Sequence, residues 1–524
     1  MLRIRLRRQL ARLISTQTKS QLKYQALVTI QYTVSIFIVL LLIYSLQAGI
    51  TSFYIEKNYP CPREWSTWTR FYWDQAKKFE AGDPKTGFIN WTGIVETYVK
   101  IIKRLEDTSI DGSGIQPILG DDGDILVEGV GRTGFDISQK SEEWRRSYFD
   151  NLLGLAKASE NVEGLVVEKG TNIVFFAASV IGPSNPNPKP LTKGGPKAPR
   201  EENVFNPFES PEKYYLKILT THGFTSRQRL EAALAYADWL DYKGLTETAG
   251  DMYDWALDIA MGSLPQGVNY AVDIKTGIIG DKAEHVSSNL LTASTALAGH
   301  QARQGHFSAA LPVLLSVLRA RRQLATPTPS DLDGLEHENV LQKASLYLKS
   351  LFISFPMPDA PASGDEAPKR TPAAICEEAG VMANIGEVLF TMASQSKKGV
   401  EATKGEQDGL SWTRDAVDLA ESTLESASED DKEAKSRCLE CLQTGAESWT
   451  TMLNIMLKNE QNSNASESEP KRAWIWGKKR AEKTDRWERE ANAVEQRLKQ
   501  VRNLLLEEER KKFEKSMFAT LTGT

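Results

Sequence analysis

One long apolar run stands out in the hydropathy pattern near the amino-terminal end of the sequence. Residues 26–50 (ALVTIQYTVSIFIVLLLIYSLQAGI) contain no charged side chain. A helix of this length, rising about 1.5 Å per residue, crosses the roughly 30 Å hydrocarbon layer of a bilayer. We therefore predict one transmembrane helix over 26–50. A buried core helix and a secretory signal peptide are the alternatives, but the run is too long and begins too late for a signal peptide.

Helical periodicity governs most of the remaining sequence. Apolar residues share one face of a predicted helix over Trp91–Glu106, and Ser141 is placed to cap another helix. Residues 107–140 are rich in Gly and Asp and predict a loop. The Pro-rich residues 182–211 predict a long extended connection, either a linker or a segment that lies across the surface. No second apolar stretch approaches the length of a membrane span, which excludes a multi-span transporter or channel.

Two aromatic patterns lie at opposite ends of the soluble part. Trp65, Trp68 and Tyr72 follow each other at helical spacing, which predicts an aromatic face packed on the next helix or an aromatic belt at the membrane. A long helix is predicted over roughly Ala473–Phe518. Its apolar residues form a heptad seam, either on a helix that caps the fold or in an intermolecular coiled coil. The seam comprises Trp487, Ala491, Val494, Leu498, Val501 and Leu505.

Small and large residues alternate in a specific way between Ser226 and Met261. Two predicted helices meet at Gly244, and the spacing of their small and aromatic residues resembles the tetratricopeptide repeat, in which small residues let antiparallel helices approach closely. The predicted packing residues are Tyr236, Ala237, Leu240, Gly244, Ala249, Tyr253 and Ala256. A second copy over Leu291–Arg321 matches at Ala298, Gly305 and Ala310, after an insertion at about 262–288.

A third, poorer copy starts at Ile385 and Gly386, with its second helix over Asp415–Leu424 after a loop rich in Lys, Gly and Glu. The sequence thus predicts an all-α fold: a single transmembrane helix, a tetratricopeptide-like α-solenoid with long loops, and a long C-terminal helix. The predicted parts are a basic tail (1–25), the transmembrane helix (26–50), a membrane-proximal helical region (60–180), a Pro-rich linker (181–212), the helical repeat domain (213–460) and the C-terminal helix (473–518).

The repeat register also predicts a binding surface. In tetratricopeptide arrays the first helix of each pair lines a concave groove. The predicted groove residues are Glu231, Leu234, Asp238, Asp241, Tyr242, Thr292, Thr295 and Arg303. A wall of mixed acidic and apolar side chains suits an extended or unfolded polypeptide that exposes apolar or basic residues.

Charge is distributed unevenly along the chain. Its formal net charge is −5, yet residues 1–55 contain Arg and Lys and neither Asp nor Glu. Basic residues resist translocation, and an Arg-rich, acid-free tail is typical of mitochondrial targeting. We expect the soluble part to lie in the intermembrane space. The alternative is an endoplasmic reticulum anchor with a lumenal domain, which the glycosylation sequons at Asn90 and Asn464 would suit.

Motifs for catalysis or cofactor binding are missing from the sequence. It contains no GxxxxGK[ST], HExxH or GxSxG pattern, so we expect no enzyme, no cofactor and no metal. Beyond the basic tail the chain is acidic, which argues against nucleic acid as a partner. Cys438 and Cys441 form a CxxC that lacks the second half of a zinc site. We interpret them as small apolar helix residues, with a redox or metal role as the alternative.

The whole arrangement resembles one protein family. The basic tail, the single span, the YPCPREW segment after it and the degenerate repeats with ALAYADWLDYKGL are similar to a fungal mitochondrial inner-membrane family related to the tetratricopeptide adaptor subunit of the i-AAA protease complex. The resemblance implies an adaptor that captures misfolded proteins in the intermembrane space and presents them to AAA protease subunits. A co-chaperone or import component, and a structural tether assembled through the C-terminal helix, are the alternatives.

Overall fold

The computed structural model describes residues 16–82, 87–118, 134–262, 272–273, 275–281, 285–327, 357–395, 400–428, 431–466, 487–507 and 510. Across these residues the chain is predominantly helical, as predicted, with a few short strands. Its contacts divide it into one unit that ends at Pro60 and a second that begins at Cys61.

The first unit is built around a single helix, α1 (Thr16–Asn58). Its segment Lys23–Tyr44 has a mean hydropathy of 2.4 and is long and apolar enough to cross a membrane, either as an anchor or as a signal sequence. The side chains of this segment are almost all exposed, so the protein itself does not bury them. The helix continues beyond the predicted end at residue 50 and stops just before Pro60, which cannot donate a backbone hydrogen bond.

The second unit opens with three helices packed in sequence: α2 (Thr67–Glu80), α3 (Trp91–Leu105) and α4 (Glu142–Val162). The helices predicted after Asn90 and Ser141 are confirmed, and both residues cap them by accepting a backbone hydrogen bond. The apolar face of α3 is buried against α4, around Tyr98, Trp144 and Tyr148.

The aromatic pattern at 65–72 is resolved differently from the prediction. Trp65 and Trp73 are buried and touch edge to face, with ring centroids 5.9 Å apart. Trp68 points outward and is 63% exposed. The buried face of α2 therefore carries Thr69, Trp73 and Ala76, one residue around the helix from the predicted face. Trp65 precedes the helix, so its spacing from Trp68 was not a helical spacing.

A few short strands lie between the helices of this mostly helical chain. One pair, β1 (Gln116–Pro117) with β2 (Phe135–Asp136), lies in the predicted 107–140 loop. A three-stranded antiparallel sheet follows α4, in the order β4–β3–β5. Its strands are β3 (Leu165–Glu168), β4 (Val174–Phe176) and β5 (Val204–Phe205).

The Pro-rich segment, predicted as either a linker or an extended segment across the surface, pairs with this sheet. The segment is held to the residues before it, because Lys189 donates its backbone N–H to Ala178 and Glu201 donates to Ile181. Strand β5, at its end, pairs with β3. The Pro-rich residues therefore return to the domain they leave, and the chain then enters α5 (Pro211–Thr220).

Two helix pairs with short turns follow, at the places where the repeat pattern predicts them. They are α6 (Ser226–Tyr242) with α7 (Thr246–Gly262), and α8 (Ser288–Arg303) with α9 (Phe307–Arg322). Gly244 and Gly305 form the turns with φ of 77° and 81°, which side chains disfavour. The predicted packing residues on the helices are all buried, at 3% exposure or less: Tyr236, Ala237, Leu240, Ala249, Tyr253, Ala256, Ala298 and Ala310.

The described residues from 372 onward form four more helices. They are α10 (Pro372–Gln395), α11 (Val400–Ser426), α12 (Lys432–Ser466) and α13 over residues 487–507. The Lys-, Gly- and Glu-rich stretch predicted as a loop is helical from Val400 onward. Its glycines serve helix contact, because a Cβ at Gly409 would lie 2.7 Å from the oxygen of Gly386 on α10.

The heptad seam of the C-terminal helix is buried within the chain. Trp487, Val494, Leu498 and Val501 are each at most 7% exposed and join one apolar cluster with Trp449 and Leu453 of α12. Arg414 of α11 forms a bidentate ion pair with Glu490 at 2.7 and 2.6 Å. Over 487–507 the seam thus packs as a cap on α11 and α12. The rest of the predicted helix lies outside the described residues.

Candidate functional site

A cavity of about 930 Å³ runs along helix α6. Its walls come from α4 and α5 on one side and from the first turns of α8 on the other, with one residue each from α10 and α12. Its described lining residues are Lys157, Glu160, Asn161, Tyr215, Arg227, Leu230, Glu231, Leu234, Ala235, Asp238, Trp239, Tyr242, Ser288, Asn289, Thr292, Glu377 and Arg437. Charged, aromatic and aliphatic side chains therefore share one surface.

Five of the eight predicted groove residues line this cavity: Glu231, Leu234, Asp238, Tyr242 and Thr292. They lie on α6 and α8, the first helices of the two pairs, as the repeat register predicts. The aromatic ring of Tyr242 is 87% exposed, which makes it available to a ligand. The structure thus brings the five residues together, and their role in binding stays a prediction.

The other three predicted groove residues lie elsewhere. Thr295 bonds through its hydroxyl to the carbonyl of Leu291 one turn earlier on α8. Asp241 and Arg303 face the junction between the two helix pairs and bond to each other at 2.9 Å. All three residues lie on α6 or α8, the helices that the repeat register predicts for the groove. Their polar groups bond to other parts of these helices and do not line the cavity.

That junction is a compact polar network. Asp241 also bonds to Nδ1 of His300 at 2.9 Å, and Tyr253 donates its hydroxyl to Asp238 at 2.5 Å. The hydrogen bonds from His300 and Arg303 outweigh partial burial and lower the pKa of Asp241. The network links α6 and α7 to α8, and so fixes the relative position of the two helices, α6 and α8, that carry the predicted groove residues.

Acidic groups face one another between α4 and α6. Burial raises the pKa of Glu160, and the nearby carboxylate of Asp238 adds to the effect, although the hydroxyl of Tyr215 donates to Glu160 at 2.5 Å and Lys157 opposes the shift. Asp150, two to three turns earlier on α4, has an exposed side chain, yet the protein around it displaces enough water to raise its pKa to about 6, with smaller contributions from Glu231 and Glu142. The attraction of Lys77 and Arg146 offsets only part of that rise.

An extended segment of the chain itself crosses the ends of these helices. Residues 357–371, which we name the strap, precede α10 and contain no helix or strand. Arg146 of α4 donates to the carbonyls of Pro358 and Asp359 at 2.8 and 2.9 Å. Further along, Ser226 at the start of α6 bonds to the carboxylate of Asp365. The strap therefore lies over the amino-terminal ends of the helices that line the cavity.

The first turn of α8 holds the strap most closely. The backbone N–H groups of Ser288 and Asn289 donate to the carbonyls of Glu366 and Gly364 at 3.2 and 3.0 Å. The Asn289 amide also donates to Ser363 and to Asp365. These contacts satisfy donors that a helix start leaves free. Nothing local to residues 357–371 specifies where they bind, so these contacts follow from the assembled fold and not from a sequence pattern.

A disulfide that the sequence analysis missed borders the cavity. Cys376 of α10 is bonded to Cys438 of α12, and each is adjacent in sequence to a lining residue, Glu377 and Arg437. The interpretation of Cys438 as a small apolar helix residue was wrong. Cys441, three residues after Cys438, is a thiol whose pKa burial raises to about 11, so it is not an activated nucleophile. Among the described residues no group of His, Cys, Asp and Glu could hold a metal ion.

The comparisons with known proteins found no matching protein family, no similar curated protein and no similar solved structure.

Proposed function

We propose that this protein is a membrane-anchored adaptor that binds segments of other proteins in the cavity along α6. The carrying observation is the cavity itself: it is large enough for several side chains and offers Leu234, Trp239 and Tyr242 beside carboxylates. Mixed apolar and polar walls of this kind suit peptide side chains. The strap adds support, because two lining residues of the cavity, Ser288 and Asn289, already bind one extended polypeptide segment.

The proposal includes a tetratricopeptide-like arrangement of the helix pairs. Its support is the buried small residues at matching positions of the two pairs, with a glycine of positive φ in each turn. Arrays of this kind use the first helix of each pair as the binding wall. On this view the working surface is α6 and α8, while α7 and α9 form the outer layer.

We place the protein in the mitochondrial inner membrane, with α1 as the anchor and the second unit in the intermembrane space. The acid-free basic segment before the apolar run supports this orientation. The disulfide between Cys376 and Cys438 is compatible with that compartment or with the endoplasmic reticulum lumen, since structural disulfides persist where the surroundings are oxidising. The proposed partners are unfolded clients and AAA protease subunits.

Site-specific crosslinking tests the proposal. A photoreactive amino acid at Leu234, inside the cavity, is compared with one at Glu247, an exposed residue on α7 outside it. In intact mitochondria we expect the Leu234 probe to capture several proteins, among them newly imported proteins that fail to fold, and an AAA protease to copurify with the complex. Equal labelling from both positions, or labelling of a single fixed partner only, would exclude client capture by the cavity.

A further inference from the structure

Charges are sorted along the length of the cavity. Arg227 lies in the first turn of α6, and Arg437 is within 4.0 Å of Glu377, which also accepts a bond from Arg321. The rest of the cavity carries Glu160, Glu231 and Asp238 against the single cation of Lys157. The described lining therefore includes two arginines, Arg227 and the paired Arg437, while the stretch around Glu160, Glu231 and Asp238 carries an excess of carboxylates.

Two of these carboxylates have capacity left for a ligand. Glu231 is exposed and forms no hydrogen bond or ion pair with any described residue. Asp238 accepts the Tyr253 hydroxyl through one oxygen and lies 3.5 Å from Arg303, yet its side chain is still 67% exposed. A cation entering the cavity would therefore meet acceptors that the protein has not already saturated.

The orientation of the helices also favours cations at one end of the cavity. Glu163, just after α4, and Lys243, just after α6, form an ion pair at 2.7 Å, so the carboxyl-terminal ends of these two helices lie side by side. The partial negative charge of helix dipoles gathers at such ends and favours cations. The protein itself places Lys243 there, with its ammonium group 5.8 Å from the centre of the Trp239 ring. Tyr242, a cavity residue that is 87% exposed, offers a further ring face to a cation.

At the amino-terminal ends of α6 and α8, the strap places negatively charged and carbonyl groups. Its Asp365 carboxylate and the carbonyls of Gly364 and Glu366 lie at the amino-terminal ends of α6 and α8. This is the arrangement expected of a polypeptide bound to these helices: negative groups lie at the helix starts. At the carboxyl-terminal end of α6, the carboxylate of Asp238 and the ring of Tyr242 are exposed among the described residues.

We propose that the cavity selects extended polypeptide segments that carry lysine or arginine beside apolar residues, with the cations seated near Glu231, Asp238 and the ring of Tyr242. The inference rests on the proposed function, since it names the class of segment that the adaptor would bind. Apolar side chains of the segment would pack on Leu234 and Trp239. An acidic segment would meet repulsion along the same wall.

Peptide binding to the full-length protein in phospholipid nanodiscs tests this selectivity. Three labelled peptides share an alternating leucine pattern and differ only in lysine, glutamine or glutamate at the remaining positions. We expect the lysine peptide to bind roughly three- to tenfold more tightly than the glutamine peptide, and the glutamate peptide most weakly. The preference should shrink as salt concentration rises.

Charge-neutralising variants locate the selectivity. Glu231→Gln combined with Asp238→Asn should remove most of the lysine preference while leaving affinity for the glutamine peptide within about twofold. Because Asp238 supports Tyr253, Glu231→Gln alone is the second variant, with a partial loss expected. The control is Asp251→Asn with Asp258→Asn, which removes the same charge from exposed positions on α7, outside the cavity.

The possible outcomes separate the two proposals. Equal affinity for all three peptides, with the peptide still crosslinked at Leu234, would overturn the charge preference and leave the adaptor function standing. The charge preference would also be overturned if the α7 control loses the lysine preference as fully as the cavity variants do. If no peptide binds and none crosslinks at Leu234, the adaptor function fails, and the charge preference fails with it.

Discussion

At the scale of single residues, the helix pairs depend on a few positions with almost no freedom. Ala237, Ala249 and Ala256 have no exposed surface, so any larger side chain there must displace a neighbouring helix. The two turn glycines depend on backbone conformation instead, since nothing lies within 4 Å of a Cβ built on either. Packing and backbone geometry therefore constrain different residues of the same motif, and each can be tested separately.

Two glycines of the first helix pair should respond in opposite directions to the same substitution. Gly244→Ala places a side chain at a φ of 77° and should lower the free energy of unfolding by about 1 kcal/mol. Gly250→Ala lies within α7, where a Cβ would make only an ordinary 3.5 Å contact with His300, and should raise that energy by up to about 1 kcal/mol. Urea unfolding followed by circular dichroism measures both, and a stabilising Gly244→Ala would contradict the turn geometry.

Asp150 should make stability depend on pH. Its folded-state pKa of about 6 lies above the ordinary value, so the folded protein holds this proton more tightly than the unfolded chain does. The contribution of Asp150 to stability should therefore fall as pH rises from about 4 to about 6 and stay unfavourable above that range.

Asp150→Asn removes the titration, so it should raise the melting temperature at pH 7.5 and have little effect at pH 4. Differential scanning calorimetry at the two pH values checks this difference. Asp251→Asn, at an exposed position on α7, should change the melting temperature little at either pH. A melting temperature lowered by Asp150→Asn at pH 7.5 would mean that Lys77 and Arg146 outweigh the cost of desolvation.

At the scale of elements, sequence patterns succeeded where a contact is local and failed where it is distant along the chain. The pair α6 and α7 could be predicted because its packing residues recur within one short stretch. The strap could not, because residues 357–371 bind helix starts that lie far earlier in the sequence. For the same reason the pairing of Val204 with Glu168 in the small sheet was missed.

Glycine produced the clearest misprediction. Gly405 and Gly409 made their stretch look like a loop, yet both lie on α11 where it crosses α10 closely. Glycine lowers helix propensity, but tertiary packing overrides propensity when two backbones must approach. The candidate site could be predicted only in part. The repeat register predicted residues on α6 and α8, whereas the contributions of α4, α10 and α12 depend on the assembled fold.

The disulfide is the strongest constraint on how α10 meets α12. It closes a loop with a sequence separation of 62 residues. On chain-entropy grounds such a link contributes about 4 kcal/mol. Cys376→Ser should lower the free energy of unfolding by up to that amount, as urea denaturation would measure.

The disulfide prediction has an internal control. Cys441→Ser keeps the disulfide and supplies a hydroxyl that can still donate to the carbonyl of Cys376, so it should cost less than about 1 kcal/mol. Dithiothreitol should destabilise the parent protein and leave the Cys376→Ser variant unchanged. An equal effect of the reductant on both proteins would show that the bond does not form in solution.

At the scale of the whole molecule, charge and hydrophobicity divide the chain into parts with different surroundings. The basic, acid-free residues 1–55 include the apolar segment Lys23–Tyr44, which is long and apolar enough to cross a membrane as an anchor or to be a signal sequence. The second unit has its own buried core and the candidate cavity. This division is what an anchored binding protein requires, and it leaves the compartment of the second unit as the decisive question.

Asn90 offers a direct test of that compartment. It is exposed and begins a glycosylation sequon, yet its side-chain oxygen caps α3 by accepting the backbone N–H of Gly93 at 3.1 Å. In the endoplasmic reticulum lumen this asparagine would be open to modification, whereas in the intermembrane space it would only cap the helix. We expect glycosidase treatment of the native protein to leave its electrophoretic mobility unchanged.

Two substitutions separate the cap from the sequon. Asn90→Asp removes the glycosylation sequon but keeps a side-chain oxygen that can cap α3. This variant should therefore match the parent protein in both electrophoretic mobility and stability. Asn90→Ala removes both and should cost about 1 kcal/mol of unfolding free energy without any change in mobility. A glycosidase-sensitive band that Asn90→Asp eliminates would place the second unit in the endoplasmic reticulum lumen. The mitochondrial part of the proposed function would then be wrong. Peptide binding by the cavity does not depend on the compartment, so the peptide measurements would still test it.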